Sequence, residues 1–440
     1  MTKITRRSIL QGAAAAGVAG GSLLDFAKAW AQEAPWKPEA GAALNVLRWK
    51  RFVEAEDVAF MKMVDAYTKA TGVKVNISNE SFDDIQPKAS IAANTGTGPD
   101  LIWALHSTPQ LFPDKCLPMQ DVADYLGKKY GGWIPNAAVY GKSRDKWIAI
   151  PVAVNGGYMN YRISSMNKAG FKTFPTDFPG FLELCRAMHK NNTPAGFCLG
   201  HSTGDGLAWV HWLLWGFGGY LIDQNEKIII NSPETAKALE YAKSLYETFI
   251  PGTPSWNDSS NNKAFLAGDL HLTANGISIY VAAKTAGAQG DAKQKAIAED
   301  MDHAYFPVGP IGKPAELQLA FPMFGFNYTK VPNASKSFVA FMMEAQNYNP
   351  WLEAAQGYLS HTLYAYDSNP VWTADPKTTV FRDASKRTLP ASGIGPLSPK
   401  VATAIADFVV LDMFARYCTG QEDLKTTMKT AERAAQRIFR

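Results

Sequence analysis

Between residues 44 and 105 the hydrophobic periodicity switches back and forth between two and 3.6, and that alternation restricts the fold more than any other feature of the chain. Residues 44–49 alternate as a strand. Val58, Met61, Val64 and Tyr67 then recur at helical spacing until Gly72 stops the run. Residues 73–78 alternate again. Residues 84–94 fit a helix that keeps Pro87 in its first turn and ends at Gly96, Gly98 and Pro99, and residues 101–105 form a short apolar strand. This order is the start of a doubly wound α/β sheet, where right-handed crossovers place helices on both faces and ligands bind beyond the C-terminal strand ends. Those ends carry Trp49, Lys50 and Arg51, then Asn79 and Glu80, then His106 and Ser107, which should line one rim.

The pattern resumes downstream. Thr176 or Asp177 caps a helix through Met188, and Ser232 with Pro233 opens another carrying Ala236, Leu239, Ala242, Leu245 and Phe249. Residues 262–267 close on Gly268, after which Leu270, Leu272 and Ala274 alternate as a strand. A chain of 440 residues exceeds what one hydrophobic core covers, so two α/β domains are expected.

The first 31 residues read as an export signal. Thr5, Arg6, Arg7, Ser8, Ile9 and Leu10 precede an apolar run from residue 12 to 24, the order of a twin-arginine leader. That run is shorter than the roughly 20 residues that cross a bilayer as a helix. Ala29 and Ala31 place the expected cleavage before Gln32, with a cut after Ala27 as the alternative. Removing the leader takes the formal charge from +4 to +1, which gives no reason to expect a nucleic-acid partner. The twin-arginine route carries folded chains, so disulfides are not presumed. Cys116, Cys185, Cys198 and Cys418 form no C-x-x-C pair, and a Cys185–Cys198 bridge is only conceivable.

With these elements in place, the chain resembles the family 1 extracellular solute-binding proteins of ABC importers, the group that includes maltose-binding receptors. The resemblance rests on the opening strand at residues 44–49, on Gly98-Pro99-Asp100-Leu101, and on Ile150-Pro151-Val152 leading to Tyr158-Met159-Asn160-Tyr161. It continues through Asn231-Ser232-Pro233-Glu234-Thr235-Ala236, Asn262-Lys263-Ala264-Phe265-Leu266-Ala267-Gly268 and the helix Phe338-Val339-Ala340-Phe341-Met342-Met343. It implies a two-lobed, class II periplasmic-binding-protein fold, each lobe a doubly wound sheet flanked by helices. Residues 32–157 with 308–351 would form lobe one, and 158–307 with 352–440 lobe two. The lobes would close on ligand by hinge bending, and the closed form would meet the membrane permease. A periplasmic monomer that needs no cofactor is expected.

A polyhydroxy ligand needs aromatic platforms and amide or carboxylate partners. Candidates are Trp49, Lys50 and Arg51 after the first strand, where a core Trp49 fits equally well, and His106 after the third. Asn155, Gly156 and Gly157 stand where the first crossover should be and suit a hinge. Asp205 and Trp209 follow an apolar segment, with a helix cap and core packing as their plainer roles. Trp256, Asn257 and Asp258 occupy a polar loop, and Asn275 and Gly276 end a strand; Tyr358, Ser360 and His361 are weaker candidates. A neutral sugar or polyol is expected unless Lys50 or Arg51 points into the cleft, which would suit an anion.

Two enzyme readings compete. Gly200-His201-Ser202-Thr203-Gly204 satisfies G-x-S-x-G, so Ser202 could serve an esterase with His303 or His361, although no upstream H-G-G-G segment accompanies it. Twin-arginine export also suits redox enzymes, yet the chain has no C-x-x-C-H and no G-x-G-x-x-G after a strand.

Overall fold

The computed structural model describes residues 22–440, so the twin-arginine motif and most of the apolar run lie outside the described residues. Helix α1 (Leu23–Glu33) precedes β1 (Ala43–Trp49), α2 (Glu54–Thr71), β2 (Lys74–Glu80), α3 (Ile85–Thr95) and β3 (Leu101–Trp103). Strand β4 (Ile150–Gly156) is followed after one residue by β5 (Tyr158–Arg162), then by α4 (Phe178–Lys190), α5 (Asp205–Gly216), α6 (Pro233–Tyr246) and α7 (Ser260–Ala267). Next come β6 (Leu272–Asn275), α8 (Ser278–Ala288), α9 (Ala292–Asp300), β7 (Met301–Ala304), β8 (Gln318–Gly325), α10 (Pro332–Met342) and α11 (Ala345–Ala355). Helices α12 (Pro399–Ala406), α13 (Val409–Cys418) and α14 (Leu424–Ile438) close the chain.

Two sheets organise these elements into two lobes. The first has the order β2-β1-β3-β8-β4; β1 runs parallel to β2 and β3, and β8 runs antiparallel to β3 and β4. The second has the order β6-β5-β7, with β6 and β7 each antiparallel to β5. They are therefore parallel to each other, joined by the crossover helices α8 and α9. The chain leaves the first sheet at Gly156 and enters the second at Tyr158, and it returns between β7 and β8.

Local chemistry explains the element ends. Asp177 caps α4 by accepting from the Gly180 N–H, and Ser232 caps α6 ahead of Pro233, which needs no hydrogen bond at that position. Helix α2 buries Glu56, Phe60, Met63, Val64 and Tyr67. Val64 and Tyr67 thus pack as expected, but Val58 and Met61 are 48% and 42% exposed. Both stripes satisfy helical spacing, and the one bearing Phe60 meets Trp103 and Phe338. Residues 321–325 are buried in strand β8.

The four cysteines are free and buried, and the Cys198 thiol donates to the Trp256 carbonyl at 2.9 Å. Residues after 352 touch both sheets: Ser360 pairs with Val154 of β4 and Thr362 donates to the Pro151 carbonyl, whereas Lys377 donates to the Ala298, Glu299 and Met301 carbonyls beside β7. Helix α13 then packs on α5 and α6.

Helix α1 is built into lobe one. Ser22 and Asp25 cap it reciprocally, Ala27 and Trp30 are buried, and the Trp30 indole donates to Ser337 at 3.1 Å beside Tyr125 and Phe341. The expected cleavage point before Gln32 falls inside this helix. No described helix is long and apolar enough to cross a membrane.

Candidate functional site

Where the two lobes face each other, β4 and β8 of the first sheet meet α5, α8 and β6 of the second across a narrow cleft of about 40 Å³. Its apolar walls come from Phe52, Phe82 and Tyr358 with Leu317, Leu319 and Ala208. Its polar lining comes from His106, Asn155, Asp205, Asp258, Asn275 and Ser278. A neighbouring recess shares Phe82 and His106 and continues past Ser107 to His201 and Phe408.

Asn155 ends the buried strand β4, and its side chain makes no hydrogen bond with any described residue although its amide oxygen is buried. Gly276 makes this possible, because a Cβ there would lie 2.8 Å from the Asn155 amide nitrogen. His106 follows β3 with φ 47°, a left-handed conformation that turns its ring between the lobes. Its Nε2 donates to the Thr203 carbonyl at 2.6 Å across the cleft, since a carbonyl can only accept. That fixes Nδ1 as an acceptor, and it is buried without a partner. Burial lowers the His106 pKa and keeps the ring neutral.

The opposite wall is acidic. Asp258 accepts from the Ser202 hydroxyl at 2.5 Å and from the Gly204 and Asp205 N–H groups at 3.0 and 2.7 Å, so it caps the exposed amides at the start of α5 from a separate loop. Gly204 is required at this turn, where a Cβ would approach the Asp258 carboxylate to 2.8 Å. Asp205 accepts from Asn261 at 2.8 Å through one oxygen, while the other has no protein donor among the described residues. Enclosure in the cleft and the nearby Asp258 charge push the Asp205 carboxyl well above the usual carboxylate range. Burial, reinforced by Asp258, raises neighbouring Asp83 to about 6.

Of the residues singled out from sequence, the structure brings His106, Asn155, Gly157, Asp205, Asp258, Asn275, Gly276 and Tyr358 together in this cleft. It places the others elsewhere. Trp49 is a fully buried core residue stacked on Phe321, Lys50 is exposed outside the cleft, and Arg51 lies within lobe one between the Trp49 and Trp103 rings at 3.7 and 3.9 Å. Arg51 is ion-paired there with Glu56 at 3.2 Å. Trp209 is core, its indole donating to the Cys198 carbonyl. Trp256 is half-buried against Gly196, and Asn257 turns its carbonyl back onto the Ser259 and Ser260 hydroxyls as a local cap. Of that loop trio only Asp258 reaches the cleft. Phe52, Phe82 and Ser278 carried no signal of their own in the sequence, and Tyr358 carried a faint one.

The esterase arrangement is not assembled. Ser202 is fully buried, donating to Asp258 and accepting from the Gly206 N–H, while His303 bonds the Lys377 carbonyl and His361 bonds Asp367. The G-x-S-x-G stretch is the turn that starts α5. Among the described residues no group of three or more His, Cys, Asp or Glu is arranged to hold a metal ion.

A family model described as bacterial extracellular solute-binding protein matches residues 62–380. A probable ABC transporter-binding protein from Deinococcus radiodurans is 24% identical over 209 residues; the match spans 46% of this chain and only 48% of that relative. An ABC transporter solute-binding protein from Thermotoga lettingae, solved with α-D-tagatose, superposes with TM-score 0.75 at 17% identity over 91% of this chain and 100% of its own. One from Agrobacterium vitis, solved with D-mannitol, superposes with TM-score 0.72 at 17% identity over 90% and 98%. At these identities the superpositions establish the two-lobed fold.

Proposed function

Because the chain belongs to the family of bacterial extracellular solute-binding proteins, we propose that it is the periplasmic receptor of an ABC importer, taking a small sugar, polyol or derivative into the interlobe cleft and presenting it to the permease. Asn155 carries this reading. A primary amide enclosed by protein with no hydrogen bond costs stability unless a ligand completes it, and an amide both donates and accepts, as hydroxyl groups require. Phe52, Phe82 and Tyr358 supply the apolar platform that a sugar's C–H faces need.

Lobe closure is the working step. Gly157 joins the two sheets and His106 to Thr203 latches them, so a ligand that touches both lobes favours the closed state by its differential contacts there. Twin-arginine export and a monomeric receptor complete the proposal. The test is thermal unfolding of the full chain against neutral sugars, polyols, sugar acids and phosphate esters, with ester hydrolysis followed in parallel. A ligand at 100 times its dissociation constant adds about 2.7 kcal/mol, which moves the midpoint by several degrees. No shift with any of them, together with turnover that disappears in Ser202→Ala, would overturn the receptor reading.

A further inference from the structure

The lining of the cleft is unbalanced in charge. Among the described residues no Lys or Arg borders it, while Asp205 and Asp258 do, and Asp83 stands in the adjoining recess. Arg51 interacts with the cleft-lining Tyr358 but is not itself part of the lining and is ion-paired with Glu56. The two carboxylates are not equivalent. Asp258 is held through Oδ1 by Ser202 and the N–H groups that open α5, with Oδ2 sharing the Gly204 N–H at 3.2 Å, whereas Asp205 presents an oxygen with no protein donor among the described residues. Independently of these acids, two lining side chains are at least nine-tenths buried and keep a polar atom without a hydrogen bond among the described residues: Asn155 its amide oxygen, and His106 its Nδ1, whose ring lies beside the Gln318 backbone. Phe52, Phe82 and Tyr358 offer ring faces beside them.

Acceptors, a free carboxylate oxygen and aromatic rings in one small enclosure describe a site for an ammonium group. Such a group brings three donors for those acceptors, is attracted by the ring quadrupoles, and by its charge favours the ionised form of Asp205 that the empty cleft disfavours. A sugar acid or phosphate ester would bring negative charge against Asp205 and Asp258 with no cation to neutralise it. Resting on the receptor reading above, we propose that the solute is a cationic one, an amino sugar or aminated polyol, whose ammonium group sits on Asp205 between His106 and the aromatic wall.

The experiment is calorimetric titration of the full-length protein at neutral pH with matched probes: D-glucosamine against D-glucose and D-gluconate, and 1-amino-1-deoxy-D-sorbitol against D-sorbitol. The expected result is at least tenfold tighter binding of the aminated member of each set and no binding of gluconate. Asp205→Asn, which keeps the size and the Asn261 contact, should remove that preference, and the native ratio decides alone if the variant does not fold or binds no probe. Neutral probes binding as tightly as their amines would overturn this inference and leave the receptor reading standing. Failure of every probe on the native protein would remove both.

Discussion

Arg51 and Asp205 are both ionisable side chains enclosed by protein, and the two lobes treat them in opposite ways. Arg51 has its counter-charge beside it, with Glu56 at 3.2 Å and the Trp49 and Trp103 rings against the guanidinium, whose nitrogens have no hydrogen-bond acceptor among the described residues. Glu56 is held in turn by the Trp351 indole at 2.6 Å. Asp205 has a single amide donor and a second carboxylate nearby, which is the reverse of compensation. An internally completed charge serves the fold, and a charge left incomplete at a cleft is available to something that enters it. The charge easiest to mistake for a cleft group is therefore the one inside lobe one, and the acid that reads as an ordinary helix opener is the one that lines the cleft.

Removing the partner that completes Arg51 tests this contrast most severely. Glu56→Ala leaves a buried guanidinium uncompensated and frees the Trp351 indole, so urea unfolding should show a loss of about 3–5 kcal/mol. Whatever fraction stays folded should bind ligand with unchanged affinity. A loss under about 1 kcal/mol, or a new preference for anionic solutes, would mean that Arg51 turns toward the cleft and that the contrast is false.

Ser202→Ala acts on the other lobe with a smaller effect. The hydroxyl both donates to Asp258 and accepts from the Gly206 N–H, and truncation leaves those groups short of one hydrogen bond each at the start of α5. The expected cost is about 1–3 kcal/mol, with weaker ligand binding because Asp258 and the turn before Asp205 are no longer fixed. Unchanged stability and binding would show that the acidic wall does not depend on this turn.

The same contrast separates what could be read from the sequence from what could not. The strand and helix order through residue 105, the caps at Asp177 and Ser232 and the rim positions of His106 and Asn155 followed from periodicity and turn chemistry, which are local. Asp205 was visible as a residue opening a helix, but that its α5 is capped from a distance by Asp258 depends on a contact 53 residues away. Trp49 and Arg51 follow a strand, as a cleft residue would, and only the packing of Trp103 and Glu56 around them decides against it. Phe52 and Phe82 face the cleft because neighbouring loops converge, and no sequence spacing encodes that convergence. Helix α1 was hidden by a stronger local signal, since small residues at positions 29 and 31 read as a cleavage site whether or not Trp30 is packed between them.

The smallest effect, and the one that sharpens the contrast most directly, is the pH dependence of stability. The Asp205 carboxyl titrates near 3.8 in the unfolded chain and well above that in the folded cleft, so between the two values the folded state holds a proton that the unfolded state has released. Stability must then fall as pH rises from about 4, by at most about 1.4 kcal/mol per pH unit for this one group. Asp83, raised to about 6, and Glu316, raised to about 7, pull in the same direction but remain in both proteins when wild type is compared with Asp205→Asn. The variant should therefore gain on the wild type as urea unfolding is repeated from pH 4 to pH 8. Arg51 contributes nothing to this difference, because Glu56 stays in place. A wild-type minus variant difference that is flat across the range would show Asp205 ionised and compensated in the empty cleft, and the distinction between a completed and an incomplete charge would disappear.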